Sequence, residues 1–298
     1  MIIRYVNNVG EKKTLLLKGK LGEGAYGVVY KAILDGYGIT ALKVSPLTIS
    51  NLDLIENDVK VRLTFGEDED PHFILVRRVI LNTSKRDIPF AQAYPDMVGF
   101  SDDIDNSEVA CMYKCADSVD LFEMISVSSE IYPKNLLGTF FTQLCVGLKI
   151  LHDRKIAHRD IKPENIMMDE GVLKYIDFGF ACIENDCFKK PNIGTPYYAS
   201  PDIVKRQDPT VFETFLKRDI YALGITFFGI LTRKDFPVHP NKLKAIDNQQ
   251  MLEVYYKRIV DANVSSEWKS LIFNMITPIE KNRYDINQCI EAIESLFL

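Results

Sequence analysis

Cysteines, linkers and long apolar runs are scarce in this 298-residue chain. Its six cysteines include no C-x-x-C pair, which argues against both a disulfide framework and a structural zinc site. No stretch rich in Pro, Gly and Ser separates one part of the chain from another, and no internal repeat is found. The sequence therefore predicts a compact globular protein that suits a reducing compartment.

Basic charge is not in excess either, because 36 Lys and Arg stand against 41 Asp and Glu. Nonspecific binding to nucleic acid requires an excess of cations, so no nucleic-acid partner is expected. The longest apolar run, residues 221–231, is shorter than the roughly 20 residues that cross a bilayer. The first residues are too polar for a secretory signal, and no lipidation motif is found at either end. We expect a cytoplasmic protein without a membrane partner.

The N-terminal part of the chain has the pattern of a sheet with one helix. Residues 14–44 alternate apolar and polar side chains between glycines, which indicates short antiparallel strands. Residues 50–65 place apolar side chains at helical spacing behind a capping signal. Residues 66–93 are irregular, carry an acidic cluster and are interpreted as an insertion.

The C-terminal part has the pattern of helices. A wide apolar stripe begins at about residue 133, and further helices are predicted at 219–231 and over 266–298. A strand-rich front and a helix-rich back predict an α+β protein with two parts, 1–115 and 116–298.

Three glycines in the predicted sheet form the pattern G-x-G-x-x-G. Gly22, Gly24 and Gly27 are followed by Val29 and by further strand-like residues, so they lie in a strand–turn–strand and not before a helix. The backbone of such a turn can close over phosphates, although an ordinary hairpin explains the glycines equally well. Lys43 follows in an apolar strand, where it is either a solvent-facing lysine or a contact to the α- and β-phosphates of ATP.

A polar loop after the long apolar helix carries the chemistry. Asp160 is followed by Lys162 and Asn165, and Asp177 begins the tripeptide Asp-Phe-Gly after another strand-like segment. Phosphoryl transfer depends on positioning and on neutralising charge, and these are the groups it requires. Asp160 can accept the proton of an attacking hydroxyl, Lys162 can stabilise the migrating phosphoryl group, and Asn165 and Asp177 offer the oxygen ligands that Mg²⁺ prefers.

On these residues the chain resembles the eukaryotic-type protein kinase family, as a single kinase domain over 1–298. In that family the fold is bilobal, with an antiparallel sheet and one helix in the N-terminal lobe, a mainly helical C-terminal lobe, and ATP between them. The resemblance is carried by Gly22, Gly24, Gly27, Val29, Lys43, residues 158–165, residues 177–179, Gly194, Thr195 and residues 219–224.

The resemblance implies roles for further residues. ATP would contact a set of side chains and glycines along the N-terminal sheet and just after it: Leu21, Gly22, Gly24, Gly27, Val29, Ala41, Lys43, Ala116 and Asp120. Mg²⁺, or Mn²⁺ as the alternative, would be held by Asn165 and Asp177. Asp219 would brace the catalytic loop, and Thr195 together with Lys162 is typical of kinases that act on serine and threonine.

The chain departs from the family at the helix carboxylate and at the hinge. Glu56 is the expected partner of Lys43, but it stands only 13 residues after that lysine, so Asp58 or a residue of the insertion could hold the role instead. The gatekeeper is either Met112 or Tyr113, with residues 114–116 as the hinge.

A further departure is Asp202, which stands where the family has glutamate. Its expected ion-pair partner is Arg283, reached through a backbone shift or a water molecule because the aspartate is one methylene shorter.

The activation segment, residues 177–194, contains no Ser, Thr or Tyr, yet Arg159 is the residue that pairs with a loop phosphate in regulated kinases. We expect Glu184 or Asp186 to supply the negative charge to Arg159 and to Lys189 or Lys190, so that the enzyme is active without phosphorylation. Cys182 and Cys187 could form a redox clamp, but two independent thiols are the preferred interpretation.

The sequence thus predicts an ATP- and Mg²⁺-dependent protein serine/threonine kinase, a monomer acting on protein substrates. The alternative is a pseudokinase or scaffold that binds nucleotide or protein partners without catalysis. The intact set of Lys43, Asp160, Asn165 and Asp177 favours the enzyme. The short single-domain layout also resembles kinases of large DNA viruses, which implies the host cytoplasm and the virion as locations.

Overall fold

The computed structural model describes residues 1–24, 26–66, 69–127, 133–233 and 239–296, with only the backbone of residues 134 and 135. The chain forms two compact units. The N-terminal unit comprises Met1–Glu69, Ile74–Asp117 and Asp177–Gly179, and the C-terminal unit comprises Asp70–Phe73, Ser118–Ile176 and Phe180–Leu298.

The N-terminal unit is built around a seven-stranded closed barrel. Its strands are β1 (Ile2–Val6), β2 (Lys12–Gly24), β3 (Gly27–Leu34), β4 (Gly38–Pro46), β5 (Val76–Asn82), β6 (Val98–Ser101) and β7 (Glu108–Lys114). They follow the order β1-β2-β3-β4-β7-β5-β6 around the barrel. The predicted antiparallel strands are present, but β5 and β6 pair in parallel and β1 closes the barrel by pairing with both β2 and β6.

The barrel closes because its inward-facing residues are apolar on both the predicted and the additional strands. Ile3 and Tyr5 of β1 are buried together with Leu15, Leu42 and Ile80 in one cluster. The alternation that exposes Ile2 and buries Ile3 is the period of two expected for a strand with one face in a core.

Helix α1 (Ile49–Phe65) packs against the outside of the barrel, and its bounds are close to the predicted helix over 50–65. The side chain of Thr48 caps its first turn by accepting the N–H of Asn51. Ile55 and Val59 on α1 join a second apolar cluster with Val79 and Val109 of the barrel strands. This packing sets the orientation of α1, and therefore also the positions of its polar residues Asn57 and Asp58, which belong to the candidate site.

The interpretation of residues 66–93 as irregular is wrong for β5. This strand pairs with both β6 and β7 and its aliphatic residues are buried. Arg77 and Arg78 interrupt the apolar pattern by which a strand is predicted. At the barrel surface Arg77 donates to the carboxylate of Glu69, and Arg78 donates to the carbonyl of Asp96. A short helix α2 (Pro89–Ala93) then precedes β6.

The C-terminal unit is mainly helical, as predicted. Its helices are α3 (Leu121–Val127), α4 (Lys134–Asp153), α5 (Pro201–Val204), α6 (Glu213–Thr232), α7 (Pro240–Ala245), α8 (Asn248–Val260), α9 (Ser266–Ile276) and α10 (Ile286–Ser295). Short strands β8 (Ile156–Ala157), β9 (Ile166–Asp169), β10 (Val172–Tyr175) and β11 (Cys182–Ile183) form two small sheets.

The core of this unit lies between α4, α6 and α9. Phe141 of α4 stacks on Phe227 of α6 with ring centroids 3.8 Å apart, and it meets Trp268 of α9 edge-on at 4.8 Å. The strongly apolar run inside α6 is therefore buried in protein. Among the described residues, no helix has both the length and the apolar composition needed to cross a membrane.

Candidate active site

The glycine-rich hairpin joins β2 and β3 in the N-terminal unit. Gly24 pairs with Gly27 and Gly22 pairs with Val29, while Ala25 at the tip lies outside the described residues. Gly27 has a φ of 143°, and a Cβ there would lie 2.2 Å from the carbonyl oxygen of Val44. Only glycine fits this close approach. Leu21 beside the hairpin is exposed.

Lys43 lies on β4 and contacts Asp177 of the same unit. Its Nζ is 3.4 Å from Asp177 Oδ2, and its strand neighbours are Val29 and Cys111. Burial alone would lower the pKa of Lys43, but the charges of Asp177 and Asp58 outweigh it and raise the pKa. Lys43 is therefore a charged lysine held by carboxylates, and the solvent-facing alternative is wrong.

The structure does not bring Glu56 to Lys43. Glu56 accepts the hydroxyl of Tyr94 at 2.9 Å and pairs with Lys60 one turn along α1. The carboxylate that acts on Lys43 from α1 is Asp58, the alternative named from the sequence. Helical spacing explains the difference, because residues 56 and 58 lie about 200° apart around the helix axis.

Asp58 is buried in the interior of the N-terminal unit. Its Oδ2 accepts the hydroxyl of Tyr113 at 2.8 Å, and its Oδ1 accepts the backbone N–H of Phe178 at 3.2 Å. Burial and the nearby charge of Asp177 raise the pKa of Asp58 to about 7, against the opposing effects of Lys43 and the two hydrogen bonds. Asn57, the preceding residue, donates to the carbonyl of Gly179 at 2.7 Å.

The strand register decides between the two candidate gatekeepers. Tyr113 pairs with Ala41 on β4 and points to the same side of the sheet as Cys111 and Lys43. Met112 points the other way, into the barrel core. Tyr113 is therefore the residue on the Lys43 face.

The residues expected to contact the nucleotide near the hinge fall on either side of the boundary between the units. Ala116 lies near the end of the N-terminal unit, whereas Asp120 lies in the C-terminal unit. Asp120 accepts the N–H of Glu123 at 2.8 Å and so caps α3. Its expected contact to ribose stays a prediction.

Asp160 lies at the centre of a polar network in the C-terminal unit. Its Oδ1 accepts both the N–H and the hydroxyl of Thr195, at 3.0 and 2.5 Å. Its Oδ2 accepts from Asn165 Nδ2 at 2.8 Å and lies 2.9 Å from Lys162 Nζ. Lys162 also donates to Thr195 Oγ1 at 2.8 Å. These contacts hold the Asp160 carboxylate in one orientation, as a general base requires.

Asp219 braces the backbone beside Asp160, as the resemblance implied. Its two oxygens accept the N–H groups of His158 and Arg159, each at 2.8 Å. Arg159 has a φ of 64°, a left-handed conformation that costs energy for a non-glycine residue. The buried carboxylate on α6 therefore stabilises the strained turn that presents Asp160.

Among the described residues, Arg159 does not contact the carboxylate of Glu184 or Asp186, so this part of the expectation is wrong, while the expected pairing of Asp186 with a lysine of the segment is confirmed. Arg159 donates instead to the backbone carbonyls of Phe180 at 2.7 Å and Lys190 at 2.8 Å. Asp186 pairs with Lys189, three residues along the same turn, and the N–H of Glu184 donates to the carbonyl of Lys155. Burial lowers the pKa of Arg159 to about 10, against the charge of Asp219.

Cys182 and Cys187 form a disulfide within this segment, so the preferred interpretation of two independent thiols is wrong. Both residues are buried beside Phe215 and Leu216 of α6. The disulfide spans part of the segment between the two carbonyls that Arg159 contacts. The other four cysteines are not disulfide-bonded.

The predicted partner of Asp202 is only partly correct. Arg283 Nη2 lies 3.9 Å from Asp202 Oδ1, whereas Arg218 Nε on α6 donates directly to Asp202 Oδ2. Burial alone would raise the pKa of Asp202, but Arg283 and Arg218 outweigh it and lower the pKa. Arg283 uses its guanidinium chiefly on the carbonyls of Thr277 and Lys217.

Asn165 and Asp177 have the donor chemistry that Mg²⁺ prefers. Asn165 Nδ2 donates to both the backbone and the side chain of Asp160, so its Oδ1 faces away from Asp160. The side chain of Asp177 is 39% exposed. Within the described ranges no three His, Cys, Asp or Glu side chains gather into a metal cluster. Mg²⁺ binds through few protein ligands when phosphates and water complete its shell, so these residues fit it.

Two residues of the site, Asn57 and Arg218, were missed from the sequence. The hydrogen bond from Tyr113 to Asp58 was missed as well. Asn57 gives no clear signal, because Asp53 and Lys60 flank it at helical spacing. Asp58 interrupts an otherwise apolar helix face, and Arg218 stands next to Asp219 at the start of an apolar run. Polar residues at such positions are buried only with partners, and this was the available signal.

The chain as a whole is similar in sequence to known proteins. The protein kinase domain family matches residues 91–293. The human serine/threonine-protein kinase Nek5 is 30% identical over 206 residues, which are 66% of this chain and 28% of Nek5. Cytokinesis protein sepH of Aspergillus terreus is 26% identical over 235 residues, 78% of this chain and 15% of sepH.

A shorter relative is a putative serine/threonine-protein kinase of Acanthamoeba polyphaga mimivirus. It is 27% identical over 261 residues, which are 79% of this chain and 89% of that protein. Nek5 and sepH, by contrast, are much longer than this chain. The region of similarity spans 28% of the length of Nek5 and 15% of the length of sepH.

Proposed function

Because the chain belongs to the protein kinase domain family, we propose that it transfers the γ-phosphate of ATP to serine or threonine hydroxyls of protein substrates. The observation that carries this proposal is the network that orients Asp160. Three side chains, those of Asn165, Lys162 and Thr195, converge on its carboxylate. Such an arrangement suits a base that positions a hydroxyl for attack.

Asp160 accepts the proton of the substrate hydroxyl, and Lys162 stabilises the charge of the transferring phosphoryl group. Thr195 accepts from Lys162 and donates to Asp160, so it fixes the two groups relative to each other. Threonine at this position supports serine and threonine as acceptors, as does the similarity to serine/threonine-protein kinases.

In the N-terminal unit, the glycine hairpin covers the phosphates and Lys43 binds the α- and β-phosphates. Asp177 and Asn165 would hold Mg²⁺, which when bound neutralises the phosphate charge. Lys43 is already paired with Asp177, and its raised pKa keeps it positively charged at neutral pH. These contacts support binding of a polyanionic nucleotide.

We further propose that transfer needs no phosphorylation of the activation segment. Residues 177–194 contain no hydroxyl side chain that a kinase could modify. The guanidinium of Arg159 donates from Nε and Nη1 to two backbone carbonyls of this segment. These bonds support a segment that is held in place without a phosphate ligand.

The test is transfer of labelled phosphate from ATP to casein, histone and myelin basic protein, followed by phosphoamino-acid analysis. The protein is made in bacteria and compared with Asp160→Asn and with Asp153→Asn. Asp153 pairs with Lys149 on the surface of α4 and serves as the matched control. We expect label on serine or threonine, a loss of about 100-fold or more in Asp160→Asn, and no change in the control.

Absence of transfer, together with measurable binding of Mg²⁺ and ATP, would contradict this proposal and favour the pseudokinase. Label on tyrosine alone would contradict the assignment of acceptors. The cytoplasmic location, the virion and the monomeric state stay predictions. The similarity to a mimivirus kinase supports a viral origin only weakly.

A further inference from the structure

We propose that Asn57, Asp58 and Tyr113 form a clamp that positions the Asp177 carboxylate by holding the backbone of Phe178 and Gly179. This inference rests on the proposed function, because it gives the clamp residues a role in metal-dependent nucleotide binding. All of these residues belong to the N-terminal unit. None of the three clamp residues was assigned this role from the sequence.

The clamp holds two adjacent residues by groups of opposite polarity. Asp58 Oδ1 accepts the N–H of Phe178 at 3.2 Å, and Asn57 Nδ2 donates to the carbonyl of Gly179 at 2.7 Å. Along α1 the donor Asn57 precedes the acceptor Asp58, and along the held segment the N–H of Phe178 precedes the carbonyl of Gly179, so the two pairs match with the chains running in opposite directions. The match fixes both the position of this segment and its direction.

Tyr113 fixes the other oxygen of Asp58. Its hydroxyl donates to Asp58 Oδ2 at 2.8 Å, so the carboxylate is held from both sides. Tyr113 lies on β7 in the barrel wall and is paired there with Ala41 of β4. The clamp thus connects α1 to β7, which pairs with the strand β4 that carries Lys43. The sheet therefore sets the position of the Asp58 carboxylate.

Steric contact completes the arrangement. A Cβ at Gly179 would lie 3.2 Å from Leu54 Cβ and 3.2 Å from Asp177 Oδ1, so the chain passes close to α1 at this point. Asp177 itself has a φ of 57°, a left-handed conformation that costs energy for aspartate. The hydrogen bonds on the next two residues hold this strained turn in place.

The consequence concerns Mg²⁺, for which Asp177 is a proposed ligand. Groups that orient a metal ligand without touching the metal typically change metal affinity by about 10- to 100-fold when removed. We expect Tyr113 and Asn57 to act in this way. They are positioning residues, since the hydroxyl of Tyr113 holds Asp58 and the amide of Asn57 holds the carbonyl of Gly179.

The first experiment measures hydrogen–deuterium exchange of the peptide containing Phe178 in the protein without nucleotide or metal. Tyr113→Phe removes one hydroxyl, and Asn57→Ala removes the donor to Gly179. Tyr255→Phe is the matched control, because its buried hydroxyl lies 2.7 Å from that of Tyr221 and both residues belong to the C-terminal unit. Faster exchange of this peptide in Tyr113→Phe and Asn57→Ala, with no change in Tyr255→Phe, is the expected result.

The second experiment measures the binding of ADP by calorimetry, with and without Mg²⁺. We expect Tyr113→Phe to weaken Mg²⁺-dependent binding about tenfold and to change binding without Mg²⁺ less than twofold. A variant that is merely less stable, or that has lost a direct contact to the nucleotide, would weaken both to the same extent.

Unchanged exchange at Phe178, or equal loss of binding with and without Mg²⁺, would overturn the clamp. Neither experiment requires phosphate transfer. A wild-type protein that transfers no phosphate would therefore contradict the proposed function, whereas these two measurements decide the clamp on its own contacts.

Discussion

Asp202 forms its direct ion pair with Arg218, whereas the sequence led us to expect Arg283 as its partner. The Nε of Arg218 donates to Asp202 Oδ2, and its other nitrogens reach the carbonyls of Pro191 and Gln207. Arg283 stays 3.9 Å from the carboxylate. An arginine on α6 thus pairs directly with the shorter aspartate, and this ion pair forms without the expected backbone shift or bridging water.

Replacing Arg218 with methionine is expected to destabilise the protein strongly. The change leaves a buried Asp202 carboxylate without its direct partner, and breaking such a pair costs about 3–5 kcal/mol. Urea unfolding of the variant measures this loss. In the double variant Arg218→Met with Asp202→Asn the loss should be smaller, since no charge is left unpaired. Equal destabilisation of the single and the double variant would contradict the pairing.

The pH dependence of stability should report the lowered pKa of Asp202. A carboxyl whose pKa is lower in the folded than in the unfolded protein stabilises the fold above its unfolded pKa, 3.8, and loses that contribution as pH falls. We therefore expect the wild type to be more stable than Asp202→Asn at neutral pH and the difference to shrink below pH 3.8. Unfolding by urea across this range is the measurement, and a difference that grows towards acid pH would rule out the assignment.

Gly27 should tolerate no side chain, whereas its strand partner Gly24 should. A Cβ at Gly27 would lie 2.2 Å from the carbonyl oxygen of Val44, and its φ of 143° is unfavourable for other residues, while nothing lies within 4 Å of a Cβ at Gly24. We expect Gly27→Ala to cost about 1–3 kcal/mol of stability and Gly24→Ala much less. Thermal unfolding of both variants compares them directly. Similar melting temperatures would show that the hairpin adjusts to either change.

Reduction of the Cys182–Cys187 disulfide should loosen the activation segment. Closing so short a loop restricts the unfolded chain by on the order of 2 kcal/mol, and the bond lies between Phe180 and Lys190, the two contacts of Arg159. We expect Cys182→Ser with Cys187→Ser to lower phosphate transfer several-fold and to remove its sensitivity to dithiothreitol. Cys289→Ser, which removes a cysteine that lies outside both the disulfide and the proposed site, is the control. Transfer by the wild type that is unaffected by dithiothreitol would contradict this prediction.

The motifs that carry the chemistry are local, and local sequence was enough to find them. Asp160, Lys162 and Asn165 lie within six residues, and the structure joins all three by hydrogen bonds or ion pairs. Alternation of apolar residues predicted the strands of the glycine hairpin, because a strand with one face in a core requires it. The charge pair Arg77 and Arg78 interrupted the same signal in β5, so that strand was missed.

Pairings between distant residues could not be predicted in this way. The choice of Asp58 over Glu56 depends on which side of α1 packs against the barrel, and the choice of Tyr113 over Met112 depends on the register between β4 and β7. Both are set by contacts between residues far apart in sequence. The disulfide and the carbonyl partners of Arg159 likewise require the path of the segment in space.

The sequence alone determined that this is a protein kinase domain and which residues are the candidates for its reaction, because those residues keep fixed short spacings and chemically specific side chains. Only the tertiary structure decided which partner holds each of them. A buried charge takes the nearest group of opposite polarity that packing brings to it, and packing is a property of the whole fold.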